Sequence, residues 1–171
     1  VEAGTQSDTG AYVGIAYEVE PWEGISLKPR IRAFTKSGPG AGVDGDLALF
    51  EGTGRGWFDT FYIYDLNDDN TEEPGVDEHR GTAYFFYHQD LPEEWDAIAR
   101  FEYNSDDEFL KTFSFGKYED REPPQSLVNV RRTGLHSVVS LLARFRIADY
   151  VDEVERLPQV RLDLLEQRIG N

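Results

Sequence analysis

Three residues near the middle of the C-terminal half could in principle do chemistry: His136, Ser137 and Ser140 place an imidazole beside two hydroxyls. A nucleophile and its base must meet within hydrogen-bond reach. On a strand, neighbours such as His136 and Ser137 point to opposite faces, while His136 and Ser140 share a face but lie roughly 13 Å apart by strand rise. An esterase would need a second strand to bring them together, so no catalytic residue is assigned and an enzyme is not expected. His79 and His88 read as polar groups at strand ends.

A second cluster, Asp65-Leu66-Asn67-Asp68-Asp69-Asn70-Thr71-Glu72-Glu73-Pro74-Gly75, carries oxygen ligands at alternate positions. Asp65, Asn67 and Asp69 match the first three ligands of a calcium loop. The pattern then fails, because Asn70 stands where glycine makes the sharp turn, Pro74 interrupts, and Val76 takes the place of the bidentate glutamate. A solvated acidic loop is the expectation, with no metal and no cofactor. The chain has no cysteine, which removes thiolate sites and disulfides together.

The third set is cationic. Lys28, Arg30 and Arg32 alternate along one segment, and Arg100, Arg144, Arg146 and Arg161 occupy the corresponding face of others. Guanidinium forks suit lipid phosphates. The competing expectation is an internal ion-pair web with Asp44, Asp46, Asp96, Glu102 and Asp163. Over the whole chain of 171 residues, 33 acidic residues against 17 basic ones give a net charge of −16, which disfavours nucleic acid as a partner.

The elements that must position these groups are strands. Alternating segments span 11–19, 25–35, 43–51, 56–65, 80–89, 95–104, 124–132, 135–147 and 158–168, a single region of about nine strands over residues 1–171. Short connections at Glu20–Gly24, Gly52–Arg55, Asp90–Glu94 and Thr133–Gly134 alternate with longer, more polar ones at 36–42, 66–79, 105–123 and 148–157. Short turns at one end of an antiparallel up-and-down sheet and long loops at the other form the pattern of an outer-membrane β-barrel. In 25–35 the faces differ sharply: Ile25, Leu27, Pro29, Ile31 and Ala33 oppose Ser26, Lys28, Arg30, Arg32 and Phe34. Pro29 predicts a local distortion, since it supplies no ladder donor. Tyr12, Tyr62, Tyr64, Trp95, Tyr103 and other rings near strand ends suit the aromatic girdles of a barrel. No run of apolar residues is long enough for a membrane helix. The start at Val1, with no methionine or charged-then-apolar leader, reads as a processed or excised piece.

Arg80-Gly81 opens a segment that runs through His88-Gln89 to Asp90-Leu91-Pro92. After Trp95 comes an aromatic strand ending in Ser105-Asp106, and farther on stands Arg156-Leu157-Pro158-Gln159. In order and spacing these elements resemble the barrel of the lipopolysaccharide-assembly family, LptD or organic solvent tolerance protein, over roughly residues 25–168. The resemblance implies part of a transmembrane β-barrel, or a reduced one, that passes lipopolysaccharide to the outer leaflet without chemistry. It implies a Gram-negative-type outer membrane as the location, with further barrel strands, a plug or a partner protein closing the sheet. Ser105 and Asp106 are expected to act structurally, capping backbone amides of the loop. About nine strands fall short of the family's very large barrel, and its periplasmic jellyroll and cysteines have no counterpart in this sequence. Two rivals stand beside this reading. One is a soluble acidic secreted or periplasmic β-domain that binds a ligand or protein, and the weaker one is a barrel esterase acting on lipid A.

Overall fold

A computed structural model describes residues 1–67, 77–113, 125–147 and 156–164. The chain is all-β. Its strands are β1 (Glu2–Gln6), β2 (Gly10–Ala16), β3 (Val19–Trp22), β4 (Ile25–Phe34), β5 (Gly38–Leu49), β6 (Gly54–Tyr64), β7 (His79–Leu91), β8 (Trp95–Asn104), β9 (Ser126–Thr133), β10 (Ser137–Phe145) and β11 (Arg156–Leu164). One short helix, α1 (Phe109–Phe113), follows β8. The 11 strands form a single antiparallel up-and-down sheet in chain order, with β3 pairing only with β4. The sheet is open: β1 and β11 are its edges and it does not close into a barrel.

Two strands exceed the expected nine. Five-residue β1 is too short to show a firm alternation, and the expected segment 11–19 divides into β2 and β3. The tight connection expected at Glu20–Gly24 is largely strand β3. This break lies beside Pro29. Its carbonyl accepts the Tyr17 amide at 3.2 Å, while the ladder from β2 ends at the Ala16–Arg30 pair. The distortion predicted from the missing proline donor is therefore a change of partner strand.

A larger correction concerns 36–42, expected as a long polar loop. Strand β5 starts at Gly38, and only Thr35, Lys36 and Ser37 separate it from β4. Its Gly-Pro-Gly-Ala-Gly run reads as turn chemistry, which holds for Gly38 at φ +87°, but Gly40 and Gly42 are there for space. A side-chain carbon on Gly40 would stand 2.5 Å from the Phe61 ring, and one on Gly42 would run into the Thr60 carbonyl.

The register divides the sheet into two unlike faces. Directly opposed residues share a face, and the ladders carry this parity across the sheet: Arg30 faces Gly42, Gly42 faces Phe61, Phe61 faces Thr82, and Thr82 faces Asn104. That side, the polar face, holds Glu2, Lys28, Arg30, Arg32, Asp44, Asp59, Arg80, Glu102 and Arg131. The opposite, apolar face holds Ile15, Ile31, Val43, Phe58, Phe85, Phe101, Val128, Leu141 and Leu162. The buried core is small and lies on the polar face at the long-loop end. There α1 lays Phe109, Leu110 and Phe113 against Phe34, Phe61, Ile63 and Tyr84. Phe34 and Phe113 meet edge to face at 5.6 Å.

Candidate functional site

Beneath α1 lies a buried ionic knot. Arg80, the second residue of β7, points inward with no solvent exposure. Its Nη1 donates to Asp65 Oδ2 at 3.1 Å, and Nε and Nη2 donate to the two oxygens of Asp106 at 3.1 and 2.6 Å. Ser105 completes the knot: its hydroxyl donates to Asp106 Oδ2 at 2.6 Å and accepts the Gly81 amide at 3.0 Å. The rings of Phe113 and Phe109 lie 5.3 and 5.9 Å from the guanidinium. A buried charge is tolerated only when paired and hydrogen-bonded. Both carboxylates do this, so the knot clamps the loops after β6 and β8 onto the sheet.

Arg80, Gly81, Ser105 and Asp106, distant in sequence, thus come together. His88 and Gln89 lie toward the short-turn end. There Gln89 donates to the Thr53 hydroxyl at 3.0 Å and accepts the Tyr87 hydroxyl at 2.7 Å, and His88 stands 3.6 Å from Asp90. Arg156, Leu157, Pro158 and Gln159 belong to the edge strand β11, with Gln159 opposite Leu142. Asp65, the first residue of the calcium-loop match, gives one oxygen to Arg80 and the other to the Asn67 amide at 3.1 Å. Asp69, Asn70, Pro74 and Val76 lie outside the described residues, as do 165–168 of the last expected strand. Among the described residues no group of three metal-ligating side chains converges.

The cationic set divides. Arg30 forks between Asp44 and Asp59, 2.6 Å from the latter, and also donates to the Thr60 carbonyl at 3.1 Å. Arg32 pairs with Glu2. Arg100 donates twice to Glu102 Oε1, at 2.9 and 2.8 Å, and the other Glu102 oxygen accepts the Gln125 amide at 2.9 Å. Arg131 reaches Asp96 at 3.0 Å and Arg161 reaches Asp163 at 2.8 Å. Lys28, Arg144 and Arg146 enter no ion pair among the described residues, and the buried Nε of Arg144 has no hydrogen-bond partner there. Among the described residues, these three of the set are the ones left without an ion-pair partner.

His136 does not sit on a strand as expected. It lies exposed in the turn between β9 and β10, ahead of Ser137 on the apolar face and Ser140 on the polar face. Among the described residues no hydrogen bond joins His136 to either serine. Sequence reasoning missed Glu2 and Asp59 as partners of the arginines. Asp59 has the same parity as Phe61, so the β6 register places it on the polar face, but its distance of 29 positions from Arg30 hides the pairing.

On the apolar face many large side chains stand exposed. Ile15 and Ile31 are each 64% exposed, Val160 73% and Leu164 77%, and Tyr62, Leu91, Phe101, Val128 and Leu141 also stand open. No helix among the described residues is long and apolar enough to cross a membrane. The chain matches no protein-family model, and a search of curated proteins finds no match.

Proposed function

We propose that this sheet forms part of the wall of an outer-membrane β-barrel of the lipopolysaccharide-assembly type, passing lipopolysaccharide to the outer leaflet with no bond made or broken. The observation that carries the reading is the opposite chemistry of the two faces. A water-facing protein seldom leaves a contiguous apolar patch beyond a few hundred Å² uncovered, whereas a barrel wall turns such a face to lipid and lines its lumen with charge. Ile15, Ile31, Leu141 and Val160 are the lipid side, and the ion-paired polar face is the lumen. The family resemblance in Arg80-Gly81, Ser105-Asp106 and Arg156-Leu157-Pro158-Gln159 supplies the cargo. Hydrocarbon does not accept unpaired backbone groups, so the free edges of β1 and β11 pair with further barrel strands or a partner protein.

Two measurements test this. Expressed in a Gram-negative-type cell, the protein is expected in the alkali-resistant outer-membrane fraction, and its depletion is expected to lower surface lipopolysaccharide. A folded monomer in plain buffer without amphiphile overturns the membrane reading in favour of the soluble acidic β-domain. Membrane insertion with unchanged surface lipopolysaccharide removes the cargo.

A further inference from the structure

Every large hydrophobic side chain that stands open on a described strand belongs to the apolar face, with one exception: Trp57, 41% exposed, stands on the polar face of β6. It is not part of the core. Phe61, the nearest core ring on its strand, is four residues away, roughly 13 Å by strand rise. Trp57 lies directly opposite Phe86 of β7, and the two rings stack at 6.4 Å with an interplanar angle of 25°. Ionic groups surround this pair. Asp46 faces Trp57 from β5, Arg100 faces Phe86 from β8, and Arg55 and His88 face one another one step toward the short turns. Asp46 and Arg55 are exposed and join no ion pair among the described residues.

We propose that the Trp57–Phe86 stack is a platform for a pyranose ring, with Asp46 and Arg55 as its hydroxyl partners. An aromatic face carries negative potential and attracts positively polarised hydrogens, which the C–H face of a sugar presents. The sugar's rim of hydroxyls needs an acceptor and a donor beside the ring, and a carboxylate and a guanidinium supply them. An acyl chain would leave those charges desolvated without partners, at a cost. A nucleobase would bring phosphates to a chain of net charge −16. This deepens the proposed passage by naming the part of the glycolipid the wall touches, and it rests on the same polar face.

The test uses the protein folded in lauryldimethylamine oxide, a detergent without sugar. Replacing Trp22 and Trp95 by phenylalanine leaves Trp57 as the only one of the 3 tryptophans to report. Three probes are titrated: maltohexaose, the lipid-free core oligosaccharide released from lipopolysaccharide, and inorganic phosphate. Saturable change in Trp57 emission is expected with both saccharides and none with phosphate. Binding by calorimetry should weaken about tenfold in Trp57→Ala, the loss that removing a stacked ring produces, and much less in Trp57→Phe. Asp46→Ala and Arg55→Ala, both at exposed positions, should weaken it without altering the strand circular dichroism. Sugar binding unchanged in Trp57→Ala, response to phosphate alone, or no response to either saccharide overturns the platform. If Trp57→Ala does not fold, unchanged sugar binding in both Asp46→Ala and Arg55→Ala overturns it equally. Response to the core oligosaccharide alone confines the site to lipopolysaccharide sugar, whereas response to both makes it a general pyranose site. Saccharide binding that survives while the chain fails to enter membranes defeats the passage and leaves the platform standing.

Discussion

Arg80 grips Asp106 at two points, Nε to Oδ2 at 3.1 Å and Nη2 to Oδ1 at 2.6 Å, with both side chains closed off from solvent. A parallel fork of this kind fixes orientation as well as charge. Because Asp106 begins the turn into α1, the fork sets where Phe109 and Phe113 land. The small core therefore depends on this ion pair for the placement of α1.

Breaking that fork should cost the fold heavily. Asp106→Ala leaves the buried guanidinium with Asp65 alone, and removal of one partner of a buried pair costs about 3–5 kcal/mol. Ser105→Ala removes one hydrogen bond to the Asp106 carboxylate and one from the Gly81 amide and should cost less, about 2 kcal/mol. Urea unfolding in detergent, followed by far-ultraviolet circular dichroism, measures both. Equal losses would show that the hydroxyl, rather than the ion pair, organises the loop.

The parts of this architecture that were legible are those that local pattern determines. Ile25–Phe34 was readable because greasy and cationic residues alternate without interruption, and β8 because Trp95, Ala97, Ala99, Phe101 and Tyr103 keep one parity. The start of β5 was not, since Gly40 and Gly42 are demanded by a ring and backbone from β6, partners that local sequence does not reveal. The Arg80 knot was visible only as separate motif residues. Its partners lie 15 and 26 positions away, and only the register joins them. Helix α1 is five residues of a polar loop, too short for its Phe-Leu-x-x-Phe spacing to stand out from a strand.

Substitutions on the two faces should separate. Ala97→Arg and Leu141→Arg place a cation on the apolar face, and if that face meets lipid, as proposed, a mid-bilayer arginine there costs about 2–4 kcal/mol. Lys28→Ala, on the polar face, removes a charge that pairs with nothing described. The first two should disappear from the heat-modifiable outer-membrane band while the third persists. Equal recovery of all three would contradict the lipid-facing assignment.

Two glycines should resist substitution for different reasons. Gly42→Val drives a side chain into the Thr60 carbonyl, a backbone atom that cannot rotate away, and overpacking of this kind costs about 1–3 kcal/mol. Gly52 has open space around it but sits at φ +87°, so Gly52→Ala should cost about 1–2 kcal/mol through backbone strain alone. Shortening the chain by deleting Gly52 should not relieve this, because the turn from Leu49 to Gly54 needs its left-handed step. Unfolding midpoints of the two variants check both costs, and Gly52→Asn, which tolerates left-handed backbone, should recover part of the second.

The cationic face offers the sharpest division between passage and structure. Arg30 holds Asp44 and Asp59, and Arg32 holds Glu2, so Arg30→Glu and Arg32→Glu set carboxylate against carboxylate on a partly buried face. Abundance should fall first, and the barrier to large hydrophobic antibiotics should fail only in step with it. Lys28 has an exposed ammonium and enters no ion pair among the described residues, so Lys28→Gln, which sets no carboxylate against the facing Asp44, should leave abundance unchanged. If the polar face guides phosphorylated lipid, the same variant should still sensitise cells to those antibiotics. The comparison is made by measuring protein level and antibiotic entry side by side in the three single variants. Intact barrier function in Lys28→Gln at normal abundance would remove Lys28 from the passage and leave Arg144 and Arg146 as the cations of the original set that are unpaired among the described residues.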